Sequence, residues 1–350
     1  LYAGDAGYGG VPGQRPAQIA NNNLGWEVTA QTDVGVDFGF FNNRISGEVD
    51  YYIKNTSDLL LNVNLPAIVG ISTQTQNLGK MENKGFEIVI NTNNLVGNFK
   101  WNTSFNFARN TNKVTNLNGQ VVQGSFLNRA VEGQPIGVFY GPKYAGVDPA
   151  NGDALYYTKN ASGELVTTND YNAAEYMVLG NPNPDFIGGI TNTFSYKGLD
   201  LSIMFQGVYG NDVYNGGGKF MSANGDFYDN QTKDQLRRWQ KPGDITDVPQ
   251  ARLFGANGTG ESSRYLSDAS YLRLKTVTLG YNLPASLIKK ANLTRVRIYA
   301  TGINLLTFTD YKGWDPEVNS DSYASNINQG IDFYSAPQPK TITFGINVGF

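Results

Sequence analysis

The last eleven residues constrain the fold more than any other stretch. From Lys340 to Phe350, Ile342, Phe344, Ile346, Val348 and Phe350 alternate with Thr341, Thr343, Gly345, Asn347 and Gly349. Period two is the geometry of a β-strand, whose successive side chains point to opposite faces. One face is wholly apolar and the other small and polar. The run is also as long as a tilted strand needs to cross a bilayer, about 9–11 residues. No stretch of the chain is apolar enough to cross as a helix.

The same alternation recurs along the chain. Spanning strands are predicted at 26–40, 44–54, 85–93, 98–109, 187–196, 199–210, 270–283, 295–304 and 340–350. In the run 270–283 the apolar face passes from Leu272 and Leu274 to Val277, Leu279 and Tyr281, which predicts a β-bulge near Lys275-Thr276. Short turns at 41–43, 93–98, 197–198 and 284–294 alternate with long connections at 55–85, 109–185, 211–270 and 305–339. Short turns on one rim and long loops on the other are the pattern of outer-membrane barrels, with the short turns periplasmic. The long loops need structure of their own: short strands within 136–157 and a short helix over Gln231–Gln240. The first 23 residues, rich in Gly, Pro and Asn, read as one extracellular loop.

The expected fold is therefore all-β, an antiparallel transmembrane β-barrel with long extracellular loops, the whole of 1–350 belonging to that one domain. A soluble β-sandwich is the competing fold. Its outer face would be charged and its strands about five or six residues long. Here the second face is mostly Gly, Ser, Thr, Asn and Asp, and charged residues are only 16% of the chain. Aromatics gather near strand ends (Trp26, Tyr51, Tyr52, Phe99, Trp101, Tyr196, Tyr271 and Tyr281) as interfacial girdles do. Nine strands whose first runs inward from outside cannot close a bacterial barrel in the usual even-numbered way. Further strands upstream are the expectation that follows.

Composition removes several functions. Cys and His are both absent, which excludes thiol chemistry, Cys- or His-ligated metal sites and a Ser-His-Asp triad. A net charge of −3 offers no basic face for nucleic acid. Glu48 and Asp50 share one strand face, but nothing provides the substrate cleft that glycosidase chemistry needs. No enzyme activity and no cofactor are expected.

Specific phrases then matter. Leu24-Gly25-Trp26-Glu27, Asn83-Lys84-Gly85-Phe86-Glu87, Gly180-Asn181-Pro182-Asn183-Pro184-Asp185 and Phe194-Ser195-Tyr196-Lys197-Gly198 stand in order along the chain. Ser270-Tyr271-Leu272-Arg273-Leu274-Lys275, Leu279-Gly280-Tyr281-Asn282-Leu283-Pro284, Asn304-Leu305-Leu306 and Gly313-Trp314-Asp315-Pro316-Glu317 follow, and Phe350 closes the set. With these the chain resembles the C-terminal portion of SusC-like (RagA-like) TonB-dependent outer-membrane transporters. The resemblance implies about nine strands of a plugged barrel of roughly 22, in the outer membrane of a Gram-negative bacterium. It implies import of an oligosaccharide or peptide, lidded by a SusD-like surface lipoprotein and energised through TonB, whose contacts lie in N-terminal parts without a counterpart here. An adhesin or structural barrel without transport is the alternative. A soluble β-rich carbohydrate-binding module is the third reading.

Candidate site residues follow from position. Tyr214, Tyr228, Asp229 and Trp239, in the 211–270 loop beside Arg237 and Arg238, are candidates for substrate or lid contact, with packing of the loop on itself as the alternative. Asp37, Glu48, Asp50, Glu87, Arg273 and Lys275 are expected to face the lumen or the plug. Asp148, Asn151 and Asp153 have the oxygen ligands of a calcium turn but lack its bidentate Glu. Asp310, Asp315 and Glu317 read as a loop held by Asx and proline turns. Phe350 is the candidate signal for the barrel-assembly machinery, and the apolar strand faces are expected to meet membrane lipid.

Overall fold

The computed structural model describes residues 2–16, 19–66, 68, 70–71, 73–226, 228, 230–320 and 325–350. Nine strands form one antiparallel sheet: β1 (Val28–Phe40), β2 (Ile45–Ser57), β3 (Lys80–Val96), β4 (Phe99–Asn116), β5 (Phe186–Tyr196), β6 (Leu199–Tyr209), β7 (Tyr271–Asn282), β8 (Arg295–Thr309) and β9 (Thr341–Gly349). Neighbours in the sheet are neighbours in sequence, so the wall is an up-and-down meander with β1 and β9 at its edges. β3 and β4 run to 17 and 18 residues, well past the predicted 85–93 and 98–109. Pairing such as Asn83 with Asn112 carries this hairpin beyond the membrane-spanning length.

Register decides which side chains share a face. One row runs Phe344, Ala300, Leu279, Leu201, Phe194 and Trp101, each directly opposite the next. A second runs Val36, Val49, Ile88 and Phe107. This outward face is apolar and bears two aromatic belts. Phe99 and Trp101 stack on Phe194 at one rim, with centroids 6.2 and 5.8 Å apart. Phe107, Phe186 and Tyr209 cluster at the other, at 5.5 and 5.1 Å. Phe99 and Phe107 are eight residues apart on β4, about 26 Å along the strand at roughly 3.3 Å per residue. Two predicted girdle residues turn the other way. Tyr52 lies inward and donates its hydroxyl to Asn110 Oδ1 at 2.9 Å, and Tyr271 is buried inside against Gln206.

The outward face carries a polar grouping that bonds in part within itself. Asn192 Oδ1 accepts from Trp101 Nε1 at 2.9 Å and from Thr103 Oγ1 at 2.7 Å, while Thr103 accepts from Asn94. Polar groups facing hydrocarbon are costly unless paired, so the grouping explains how Asn192 is tolerated there.

The bulge falls where the phase change puts it. Leu274 and Thr276 pair with β6 and β8 while Lys275 is skipped. On β8, Asn304 takes a left-handed φ of 54° opposite the skip. At the short-turn rim, Lys197 and Gly198 have φ of 46° and 87°, the two-residue type I′ geometry that matches hairpin twist.

The long connections form a second layer with its own small sheets. One is Tyr176–Gly180, Val138–Pro142, Asn128–Ala130 and Val122–Gln123; another is Tyr144–Val147, Ala154–Lys159 and Leu165–Thr168. A third joins Leu266–Asp268, Asp212–Asn215 and Ile331–Asp332. The predicted helix at 231–240 is a single five-residue 3-10 turn, Lys233–Arg237. Within the first 23 residues, Tyr2–Tyr8 and Val11–Pro16 pair as a hairpin. The hydrophobic core sits in this layer, in clusters such as Leu127, Phe139, Tyr214 and Tyr265, and Leu59, Leu61, Val114, Leu117, Val122 and Ile327.

Candidate functional site

The inward face of the wall carries both signs, with most of its acids on β1 to β3 and Lys54 on the same face of β2. On β1 to β3, Asp37 stands directly opposite Glu48, and Asp50 directly opposite Glu87. Asp33 lies on the same face of β1. Like charges facing each other across strands oppose pairing, so this wall needs water or a cationic partner inside the barrel. Gly35 faces Asp50, and any β-carbon there would collide with the Asp50 carboxylate.

Toward the opposite end of the sheet, Arg273 and Lys275 are covered by a loop. Arg273 on β7 is only 2% exposed. It reaches Asp315 Oδ1 at 2.5 Å, Glu317 Oε2 at 2.7 Å and Thr307 Oγ1 at 3.0 Å. Lys275 adds bonds to Glu317 at 2.9 and 3.1 Å. Arg273 and Lys275 thus face inward but do not line an open lumen; they clasp the 310–340 loop to the wall. Burial pushes the Asp315 carboxyl up, but backbone N–H groups of Gln338 and Glu317 and the Arg273 guanidinium outweigh it and hold it below its usual value. A buried pair of this kind costs stability if one partner is removed. The sequence marks the acids at 315 and 317, yet no periodicity links them to a strand forty residues earlier.

Two of the aromatic candidates are buried. Tyr214 is fully buried among Phe126, Phe139 and Tyr265, and burial raises its hydroxyl pKa. Trp239 is 5% exposed and donates Nε1 to the Pro149 carbonyl at 3.1 Å. Loop packing is therefore the role of both, because a loop of this length must bury its own core. Tyr228 is exposed and stands edge-on to Phe254 at 5.0 Å. Asp229 lies outside the described residues.

The Asp148–Asp153 turn that Trp239 grips is built on internal bonds. Asp148 Oδ1 accepts from Ala150 N and Asn151 Oδ1 from Asp153 N. Asp153 is paired with Arg252 at 2.5 Å and accepts from Asn169 and Asn151. Burial opposes ionisation of Asp153, and these donors outweigh it, leaving its pKa lowered. Phe350 stands exposed past the end of β9, its carbonyl near Thr294 Oγ1.

One cavity joins wall and loops, and the period-two reading does not reveal it. It holds about 410 Å³ and is lined by Asn83, Asn110, Asn112, Asn183, Asn326 and Gln329 beside Leu59, Leu61 and Ile136. Asn83, Asn110 and Asn112 belong to the inward face of the extended β3–β4 hairpin, and Asn183 to the Asn-Pro-Asn-Pro segment. Asn112 is locked by bonds to Asn83 Oδ1 and from Ile136 N. Glu27 also lines the cavity and accepts from Leu60 N at 2.8 Å, so the amides share it with one carboxylate.

Residues 1–305 match the family model described as TonB dependent receptor-like, beta-barrel. The chain belongs to that family. It is thus an outer-membrane β-barrel chain whose strands cross the bilayer repeatedly. TonB-dependent receptor P3 of Formosa agariphila is 39% identical over 95% of this chain and 35% of its own length. TonB-dependent receptor SusC of Bacteroides thetaiotaomicron is 31% identical over 94% of this chain and 32% of its own. Among solved structures, the RagAB peptide transporter superposes over the whole chain with a TM-score of 0.85 at 30% identity, covering 38% of the matched chain. The TonB-dependent receptor segment described here spans about a third of the length of the curated relatives it matches. Membership also removes the soluble carbohydrate-binding module as a reading.

Proposed function

We propose that this chain supplies part of the wall and outer loops of a TonB-dependent importer, not an enzyme, that admits an oligosaccharide or peptide across the outer membrane. In this reading a SusD-like lipoprotein closes the barrel from outside, and TonB acts through parts of the protein not in this chain. The observation that supports it most is the amide-lined cavity, where the inward wall meets the loops. Asn and Gln pair equally with a peptide backbone or with sugar hydroxyls, and Glu27 beside them adds an acceptor for an N–H or a hydroxyl. The acidic inner wall on β1 to β3 suits a wet or plug-filled lumen. Phe350 is the residue read by the assembly machinery.

The test uses cells carrying the full-length gene and labelled oligosaccharide and peptide pools. Uptake of one pool is expected, with loss on deletion of tonB and co-purification of a surface lipoprotein. The Asn83→Ala and Asn110→Ala variants are expected to raise the half-saturating concentration about tenfold each, the worth of one good hydrogen bond. Uptake that survives loss of TonB would overturn the proposal.

A further inference from the structure

The outward face is not uniform. On β8 it reads Val296, Ile298, Ala300 and Gly302, so two small residues follow one another. Large ones flank them: Leu279 and Phe344 lie opposite Ala300, and Tyr281 and Ile346 opposite Ile298. The result is a groove of about 540 Å³ on the outward face of β7 to β9. Tyr281 lies two residues from the turn that begins at Leu283, so the groove runs to the short-turn rim.

That rim has an unusual charge. The short connections 41–44, 97–98, 197–198 and 283–294 contain four basic residues, Arg44, Lys197, Lys289 and Lys290, and no acidic one. The long connections 58–79, 117–185, 210–270 and 310–340 hold 21 acidic residues against 12 basic. Three of the rim cations gather beside the groove. Lys289 and Lys290 are exposed in the turn between β7 and β8, and Lys197 lies over the Tyr196 ring at 5.3 Å in the next turn. The same turn presents Leu287 to its surroundings while burying Ile288, as an element seated at a membrane interface would.

An acyl chain gains nothing hydrophobic by leaving bulk lipid for such a groove. Shape can hold it by dispersion, but selection must come from the headgroup, and basic side chains at a bilayer surface attract anionic lipids. We propose that this corner binds an anionic glycerophospholipid of the periplasmic leaflet. Lys289 and Lys290 hold its phosphate, Lys197 flanks them, and one acyl chain lies against Ala300 between Leu279 and Phe344. The proposal rests on the membrane orientation of the wall and not on which nutrient is carried, so it stands or falls separately from the transport reading.

The test is native mass spectrometry of the full-length protein in detergent, titrated with phosphatidylglycerol or phosphatidylethanolamine. Phosphatidylglycerol adducts are expected to exceed those of phosphatidylethanolamine by about tenfold, falling to near parity in K289Q/K290Q, as two surface charges warrant. Lys340→Gln, a cation at the other rim, leaves the preference intact, and Ala300→Phe lowers adducts of both lipids. Heat-shifted migration on gels checks that each variant is folded. Should K289Q/K290Q fail to fold, the wild-type preference is followed from about 0.05 to about 0.5 M salt, where screening must erase it. Equal retention of the two lipids, a preference that survives K289Q/K290Q or high salt, or displacement of phosphatidylglycerol by lipopolysaccharide would overturn the proposal.

Discussion

Phe344 and Phe139 are the same side chain in two solvents. Phe344, mid-strand on the wall, is 80% exposed, whereas Phe139, in the loop layer, is fully buried. The wall keeps its large apolar residues outside and buries little of them. The loop layer packs Phe139 with Tyr214, Leu127 and Tyr265 as a water-soluble protein would. Each region is apolar where its surroundings are apolar: lipid for the wall, other side chains for the loops. The two should therefore respond oppositely to the same kind of change.

The largest effect is expected in the loops. Phe139→Ala should cost about 3–5 kcal/mol of local stability, as truncation of a buried ring does. The loss should stay within the loop layer, because the wall strands pair with one another and not through this cluster. Limited proteolysis should cut near 138–142 while the wall stays resistant and heat-shifted on gels. If the wall unfolds with the loops, the two regions are one cooperative unit and the contrast fails.

Next comes a charge on the outer face. Phe344→Lys should cost about 2–4 kcal/mol in a folding titration of the intact barrel into lipid vesicles. Asn347→Lys, on the inward face of the same strand, should stay within about 0.5 kcal/mol. Similar losses for the two would reverse the facing that the register assigns to β9.

These predictions reach back to what the sequence could show. Wall strands repeat every two residues, so their number, facing and even the bulge at Lys275 are legible in the run from Tyr271 to Leu283. Loop residues have no period. Tyr214 and Trp239 look like ligand contacts in sequence because aromatics serve stacking and core packing alike, and only the fold shows them buried. The Arg273–Asp315 pair is hidden for another reason: its partners are 42 residues apart and belong to different layers. The amide-lined cavity is hidden too, since Asn83, Asn110 and Asn183 meet only after β3 and β4 extend past the membrane.

A milder perturbation is pH, and it should act on the loops rather than on the wall. Asp315 and Asp153 both have carboxyls held below their usual range by donors that outweigh burial. An unfolded Asp titrates near 3.9. A depressed folded pKa means the stabilisation is complete above that value and is lost as pH falls through the lower one. Below about pH 4 the 310–340 loop should loosen from Arg273, and the Asp148–Asp153 turn from Arg252. Hydrogen exchange, corrected for its intrinsic pH dependence, should accelerate at the Glu317 and Gln338 amides, which bond to Asp315. Amides of β5 and β6 should not follow. Uniform acceleration would mean that the acids do not act locally.

The smallest effect is the sharpest test of how the loop core is built. The Tyr214 hydroxyl is buried without a hydrogen-bond partner among the described residues. A buried donor left unpaired costs about 1–3 kcal/mol, so the ring must contribute the packing that keeps it there. Removing only the oxygen relieves that cost and keeps the ring against Phe126 and Phe139, at centroid distances of 5.6 and 6.3 Å. Tyr214→Phe should therefore be neutral or stabilise the loop layer by up to about 1 kcal/mol. Tyr214→Leu, which keeps the volume apolar but loses the ring contacts, should destabilise by about 0.5–1.5 kcal/mol for the lost aromatic pairing. Both are read as the denaturant dependence of proteolysis at 212–215. A loss in Tyr214→Phe would show that the hydroxyl is bonded after all, and that this part of the loop layer is held by polar contacts rather than by the apolar packing that sets it apart from the wall.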